Sequence, residues 1–448
     1  MLKRKEEAAI ENWIDGEDKA LLITGARQTG KTYLIRKKLE QSGYPFVEVN
    51  FIENPEYVRV LANSHTPGEF YTRICAIADK PVEKGKTIVF MDEIQEYKDI
   101  VTRIKFLVEE GDLRFIMSGS LLGVELRDLR SAPVGYLRII DMYPMDLKEF
   151  FEAVGVSPQT IDSIFEAYKK KTPMDSFVHE KLMDIFYLYL IVGGMPEAVQ
   201  TYIDTNDIGR VNVIQENIIR LYKQDFTKYE DRYKLKLIEI YDAVPSELDS
   251  KNKRFFINHL GKGTAYERIK DDFLWLKNAG VALPVYNVTE LTAPLRISEK
   301  RNLFKLFMSD VGLLTCLYPV KTRLDILSGS GNVNNGALFE NVAAQELFSR
   351  GFSLRYYNSK KLGELDFVIE LDGEIMPVEI KSGKDYSRHR AMDNVLLADE
   401  SSLNEGFVFS KENVKKDGKI TYLPVYMLMC VENTGIDSLI YRLDLEGI

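Results

Sequence analysis

The chain is expected to be an α/β protein built on a doubly wound parallel sheet that cradles phosphate, and three observations predict this. A G-x-x-x-x-G-K-[ST] loop at residues 25–32 stands directly after an apolar strand and directly before a helix-forming run. Strand-type and helix-type segments alternate from Met1 to about Met142. One of these strands ends in two acids, Asp92 and Glu93. Helical crossovers make neighbouring strands parallel, so the loop falls at the carboxyl edge of the sheet, where ligands of such folds bind.

The expected strands are Ala20–Thr24, Phe46–Asn50, Thr87–Asp92, Arg114–Ser118 and Leu137–Met142. The loop after the first one supplies the cradle: Gly25, Ala26, Arg27, Gln28, Thr29, Gly30, Lys31 and Thr32. Glycines at its two ends keep side chains out of a turn whose N–H groups must converge on the β- and γ-phosphates. The helix beginning near Lys31 adds its positive end. Lys31 is placed to reach the β/γ-phosphates, and the Thr32 hydroxyl to hold Mg²⁺. Asp92 is expected to support the same ion through a water, and Glu93 to orient or deprotonate the water that attacks the γ-phosphate. An acid pair suits hydrolysis better than transfer to a small molecule, because a water nucleophile needs a base. At the end of Arg114–Ser118, Ser118 and Ser120 are both candidates for sensing the γ-phosphate, and a plain Ser-Gly-Ser turn explains either equally well. ATP with Mg²⁺ is the expected ligand pair.

A length of 448 residues suits roughly two to four domains, and a hydrophobic content of 45% is ample for packed cores. No apolar run approaches the roughly 18 residues needed to span a bilayer, and the charged start lacks a signal-peptide apolar region. A cytoplasmic protein without membrane partners is expected. Cys75, Cys316 and Cys430 lack metal-ligand spacing and are expected to be reduced core residues. The net charge of −9 argues against indiscriminate coating of nucleic acid but leaves room for a local basic face.

The expected domains are a phosphate-loop core at 1–142, a helical lid at 143–230, a winged-helix-like middle at 231–325 and a nuclease-like end at 326–448. The lid is interrupted by the breaker cluster Val192-Gly193-Gly194-Met195-Pro196-Glu197. In the middle segment, helices ending in Phe273–Ala279 precede Gly280 and a β-rich tail, Val281–Val288. Lys251, Lys253, Arg254, Lys262, Arg268 and Lys270 face one acid, Glu267, over that stretch, the footprint of phosphate-backbone binding. The same pattern also fits a packing or protein-contact module with a solvated basic face. Asp310 and Gly312 mark the junction between the two halves.

In the last segment a helix at Gly336–Arg350 carries Glu340, and strands are expected at Ser353–Asn358, Gly363–Leu371 and Glu374–Lys381. Alternation of side chains puts Glu379 with Lys381 on one face and Glu364 with Asp366 on one face. Glu340, Asp366, Glu379 and Lys381 are thus the parts of a PD-(D/E)xK nuclease site. The acids would hold Mg²⁺ or Mn²⁺, and Lys381, not a ligand, would position the attacking water. A helix near Ser387–Ala398 and a strand at Gly406–Ser410 complete the element order. The same residues also suit a catalytically silent binding module.

Gly-Ala-Arg-Gln-Thr-Gly-Lys-Thr, Phe-Met-Asp-Glu-Ile-Gln, Met-Ser-Gly-Ser, Tyr-Pro-Met-Asp-Leu-Lys-Glu-Phe, Gly-Gly-Met-Pro-Glu-Ala, Phe-Met-Ser-Asp-Val-Gly-Leu-Leu and Gly-Ala-Leu-Phe-Glu-Asn stand in this order along the chain. Together they resemble the large prokaryotic family of AAA-type ATPases, similar to the archaeal-type ATPases, with a C-terminal domain of unknown function related to PD-(D/E)xK nucleases. The resemblance implies an ATPase module, a winged-helix middle and a nuclease-like end. Relatives often carry Gly-Arg where this chain has Gly135-Tyr136, and Tyr136 supplies no cationic charge. Arg127, Arg130 and Arg138 are the nearby candidates for a trans-acting arginine. The expected function is a Mg²⁺·ATP-dependent ATPase whose cycle moves a DNA-binding C-terminal half that is a candidate for metal-dependent DNA cleavage. The alternative is a nucleotide-dependent switch or protein-interaction module with a catalytically silent nuclease-like domain. Convergence of Glu340, Asp366, Glu379 and Lys381 on one point, and of the basic residues on one face, would favour the former.

Overall fold

The computed structural model describes residues 2–120, 135–226, 234–250, 253–260, 266–329, 335–398 and 403–433. Arg127, Arg130, Lys251 and Lys262, and the side chain of Arg268, lie outside what is described.

Five strands, β1 (Ala20–Thr24), β2 (Phe46–Asn50), β3 (Ile88–Asp92), β4 (Arg114–Ser118) and β5 (Leu137–Asp141), form a parallel sheet in the order β2-β3-β4-β1-β5. The central strands β1, β3 and β4 are covered on both faces and are mostly apolar, whereas the edge strands β2 and β5 are not fully buried. Leu21, Ile23, Ile88 and Phe90 pack with α1 (Glu7–Ile14) and α2 (Lys31–Ser42) through Ile10, Trp13, Leu34 and Ile35. Leu22, Val89 and Met91 face the opposite layer, made by α3 (Glu56–Ala62), α4 (Pro67–Ile77) and α5 (Asp99–Glu110). In α4 the buried face is taken by Phe70 and Ile74. Cys75 therefore falls about 100° off that face and is exposed, contrary to the expectation of three core cysteines, whereas Cys430 is buried; all three are free.

Beyond the sheet come α6 (Leu147–Ala153), α7 (Pro158–Lys170), α8 (Ser176–Val192), α9 (Pro196–Thr205) and α10 (Ile208–Phe226). The turn between α8 and α9 is a close crossing of three segments. Gly194 N–H donates to the Asp310 carboxylate at 2.6 Å, Met145 N–H donates to Gly194 O at 2.7 Å, and a Cβ on Gly194 would sit 2.0 Å from Met145 O.

Next are α11 (Lys234–Asp249), α12 (Lys270–Asn278), β6 (Ala282–Val288), β7 (Glu299–Met308), α13 (Val311–Cys316), α14 (Val320–Leu327) and α15 (Gly336–Ser349). The β6–β7 hairpin does not stand alone as a wing. It forms a sheet, β7-β6-β8-β9, with β8 (Arg355–Ser359) and β9 (Gly363–Leu365), β6 and β8 pairing in parallel. A second sheet follows in the order β10-β11-β12-β14-β13, formed by β10 (Phe367–Leu371), β11 (Glu374–Ile380), β12 (Gly406–Ser410), β13 (Lys415–Asp417) and β14 (Ile420–Pro424), with α16 (Arg390–Leu397) between β11 and β12. The strand expected over Gly363–Leu371 is broken at Asp366, and its two parts belong to different sheets. One hydrophobic core runs from Met145 to Val431, through the lid helices, the hairpin and α15. The expected divisions at 230/231 and 325/326 therefore pass through a shared core, and the second also separates strands of one sheet.

Candidate functional site

The loop between β1 and α2 has the shape its glycines allow. Gly25 takes φ +138, and a Cβ there would lie 2.1 Å from Met142 O; Gly30 takes φ +89 as α2 begins. Gln28 is also left-handed, at φ 66. Lys31 is buried, and its ammonium donates to Gly25 O at 3.0 Å and Ala26 O at 2.7 Å. Burial, with Arg27 adding to it, lowers its pKa to about 8 against the pull of Glu93 and Asp92. The loop's own carbonyls thus hold the charge that a triphosphate would take.

Asp92, buried at the end of β3, gathers the hydroxyls of its neighbours. Thr32 Oγ1 donates to both carboxylate oxygens, at 3.1 and 3.0 Å, Asn50 Nδ2 donates at 3.3 Å, and Ser118 Oγ donates to Oδ1. Burial raises the Asp92 pKa, while Ser118 and Thr32 oppose the rise. Glu93 adopts φ 58 and accepts from Gln95 Nε2 at 2.5 Å. Ser120 accepts from Arg27 Nε at 3.3 Å, so Ser118 rather than Ser120 touches the acid. The set fits Mg²⁺·ATP: a glycine-shaped cradle, a hydroxyl and a carboxylate side by side for the metal, and a second carboxylate free of any ion pair among the described residues.

Three tethers around this loop leave no local sequence signal. Arg27 pairs with Asp225 of α10 at 3.0 Å, and Tyr222 Oη donates to Arg27 O at 3.0 Å. Arg4 Nη1 donates to Thr29 O at 2.8 Å. A Cβ on Gly280, just after α12, would lie 3.1 Å from Ala26 N. Arg138, a candidate for action in trans, is paired with Glu17 of its own chain at 2.5 Å, and Tyr136 Oη donates to Glu109 at 2.5 Å.

The four expected nuclease residues lie in one cluster, where Glu340 and Asp366, with Glu364, surround a lysine. Lys305, on β7 and 1% exposed, lies 3.7 Å from Glu340, 3.0 Å from Glu364 and 3.8 Å from Asp366. Burial works against its charge, yet Glu340, Asp366 and Glu364 together raise its pKa. Lys253 Nζ donates to Glu340, Arg254 reaches Glu364 at 3.2 Å, and Lys381 pairs with Glu379 at 2.8 Å. The break at Asp366 turns its carboxylate to accept from Ile380 N–H at 2.9 Å. Glu379 is pushed up to about 8 by burial and by Asp366. Among the described residues no three His, Cys, Asp or Glu side chains are arranged to hold a metal ion. The expected ligand set of Glu340, Asp366 and Glu379 therefore does not fit a divalent ion, because lysines lie among the acids. A 430 Å³ cavity opens beside them, lined by Asp366, Glu379, Lys381, Arg388, His389 and Arg390.

Of the basic face expected over Lys251–Lys270, the described side chains are Lys253, Arg254 and Lys270. Lys253 and Arg254 turn inward to Glu340 and Glu364, and Lys270 pairs with Glu267 at 2.6 Å. A different groove of 840 Å³ is lined by five cations, Lys270, Lys277, Arg296, Lys300 and Arg301, and three acids, Glu267, Asp271 and Glu299, beside Tyr266 and Tyr286. Glu299 there is shared by Arg301 at 3.1 Å and Arg355 at 3.0 Å, and Lys277, Arg296 and Lys300 have no ion-pair partner among the described residues. Lys277 also lines a 200 Å³ cavity against Gly25 and Ala26.

Residues 17–151 match a family described as AAA domain, residues 183–324 a domain of unknown function (DUF8612) and residues 335–428 another (DUF4143). With its phosphate loop and five-stranded parallel sheet, the N-terminal part has an AAA-type fold. No curated protein matches the chain. Similar solved structures include the Walker-type ATPase of Pyrococcus abyssi, 14% identical, covering 71% of this chain and 96% of its own, TM-score 0.41. The ORC1 protein of Aeropyrum pernix in complex with DNA is 13% identical over 70% and 92%, TM-score 0.30. AMPPCP-bound DnaA from Aquifex aeolicus is 11% identical over 56% and 76%, TM-score 0.30. No helix among the described residues is long and apolar enough to cross a membrane.

Proposed function

We propose that the chain is a Mg²⁺·ATP-dependent ATPase whose nucleotide state is passed to a DNA-binding C-terminal half. The observation that carries this reading is the tethering of the phosphate loop. Lys31 is held by Gly25 O and Ala26 O, and the same loop is fastened to α10 through Arg27 and lies against Gly280 after α12. Phosphates entering the cradle compete for Lys31, and a loop released from its lysine pulls on both helices. Thr32 and Asp92 would hold Mg²⁺, which supplies charge neutralisation at the phosphates. Glu93 is the base available to a water, and Ser118 couples the end of β4 to Asp92.

DNA is the ligand that the groove at Lys277, Arg296, Lys300 and Arg301 suits. Lys277, Arg296 and Lys300, without an ion-pair partner among the described residues, lie beside Tyr266 and Tyr286 and offer contacts to phosphates and to bases. Helices α11 and α12 with the β6–β7 hairpin support a winged-helix-like reading of the middle, and α15 with β8–β12 a nuclease-like reading of the end. Lysines inside the carboxylate cluster favour the version of this reading in which the nuclease-like part is silent. A protein partner in place of DNA is the alternative outcome.

The deciding experiment measures ATP turnover in Mg²⁺ with and without duplex, single-stranded and branched DNA, then repeats it in Mn²⁺ while watching for strand scission. Stimulation by a DNA form without scission is expected. Turnover indifferent to every form, with no DNA retained on the protein, would remove the DNA part of the proposal.

A further inference from the structure

We infer that Lys305 is the resident cation of the Glu340–Glu364–Asp366–Glu379 cluster, and that this site is built to stand without a divalent ion. The ammonium lies within 3.0–3.8 Å of Glu340, Glu364 and Asp366 and is 1% exposed, so it fills the space between those three acids, while Glu379 is met by Lys381 at 2.8 Å. No acid of the cluster lacks a cation. Four acids are met by four cations, Lys305, Lys253 on Glu340, Arg254 on Glu364 and Lys381 on Glu379. A hard divalent ion is drawn to a site by an excess of negative oxygen ligands, and no excess exists here. Glu340 Oε2 makes no hydrogen bond, but it faces Lys305 at 3.7 Å.

Lys305 comes from β7, Lys253 and Arg254 precede the hairpin, and the acids come from α15, β9, β11 and the bend between β9 and β10. The cluster thus joins the hairpin to the C-terminal sheet by charge, in the way a structural metal would. A phosphodiester entering the neighbouring cavity would meet Lys381, Arg388 and Arg390 rather than a metal-bound water, and would be held without being cut.

The test is a Mn²⁺ titration of the full chain without nucleotide, so its outcome is independent of the ATPase reading. Free Mn²⁺ is followed by electron paramagnetic resonance, and melting by circular dichroism, in wild type, Glu379→Gln and Lys305→Ala. Wild type and Glu379→Gln are expected to take up Mn²⁺ equally. Lys305→Ala is expected to gain one further ion, bound about tenfold or more tighter than any at this cluster in wild type, and to melt higher when Mn²⁺ is present. A Mn²⁺ ion bound by wild type and lost in Glu379→Gln would overturn the inference, as would a folded Lys305→Ala protein that binds no additional ion. If Lys305→Ala does not fold, the comparison of wild type with Glu379→Gln decides alone.

Discussion

Lys31 is caught between burial, which favours its neutral form, and the acids Asp92 and Glu93, which favour its charge. ATP binds the protonated form. With a free-state pKa of about 8, affinity should be flat below that pH and weaken as pH rises through it, by about tenfold per unit. Titrating a fluorescent ATP analogue between neutral and alkaline pH checks this, and Lys31→Ala should lower turnover by at least about a hundredfold. At Gly25, alanine meets both the left-handed backbone and Met142 O. Strain alone should cost about 1–3 kcal/mol, seen as a lowered melting temperature together with lost nucleotide binding. Residues of the loop were legible because phosphate chemistry fixes both type and spacing. Lys305 was not, since one lysine inside Leu303-Phe-Lys-Leu-Phe-Met leaves no pattern, and the acids that justify it come from later elements.

At the scale of elements, α10 acts on the nucleotide loop through Tyr222 and Asp225, and α13 acts on the α8–α9 turn through Asp310. Asp225→Asn should weaken the hold on Arg27. Its expected signature is ATP affinity changed less than about tenfold with DNA stimulation of turnover lost, since only the tether is altered. Asp310 caps α13 by accepting from Leu313 N–H at 2.9 Å and also pins Gly194. Burial raises its pKa to about 6, against backbone donors that lower it. A folded pKa above the unfolded value means stability that is fully present below about pH 4 and lost as pH rises toward about 6. Chemical denaturation across that window should show the slope, and Asp310→Asn should flatten it. The breaker cluster marked this turn in the sequence, but its partners did not show, because a glycine's neighbours in space are not written beside it.

Across the whole molecule, the N-terminal sheet was legible because helical crossovers restrict parallel strands to few orders. The pairing of β6 with β8 was not, since parallel partners so far apart in sequence share no turn signal. Nor was the groove, whose cations come from α12, the hairpin connection and β7. Reversing charge there, as Arg296→Glu with Lys300→Glu, should weaken every DNA form about equally and reduce the salt dependence of binding by about one unit per lost phosphate contact. Equilibrium binding at several salt concentrations measures both effects. The unbroken apolar interior from Met145 to Val431 also bears on how the chain can be dissected. A fragment stopped at 230 or 325 would expose oily surface along its severed edge, so halves made separately should clump and regain solubility only when produced together.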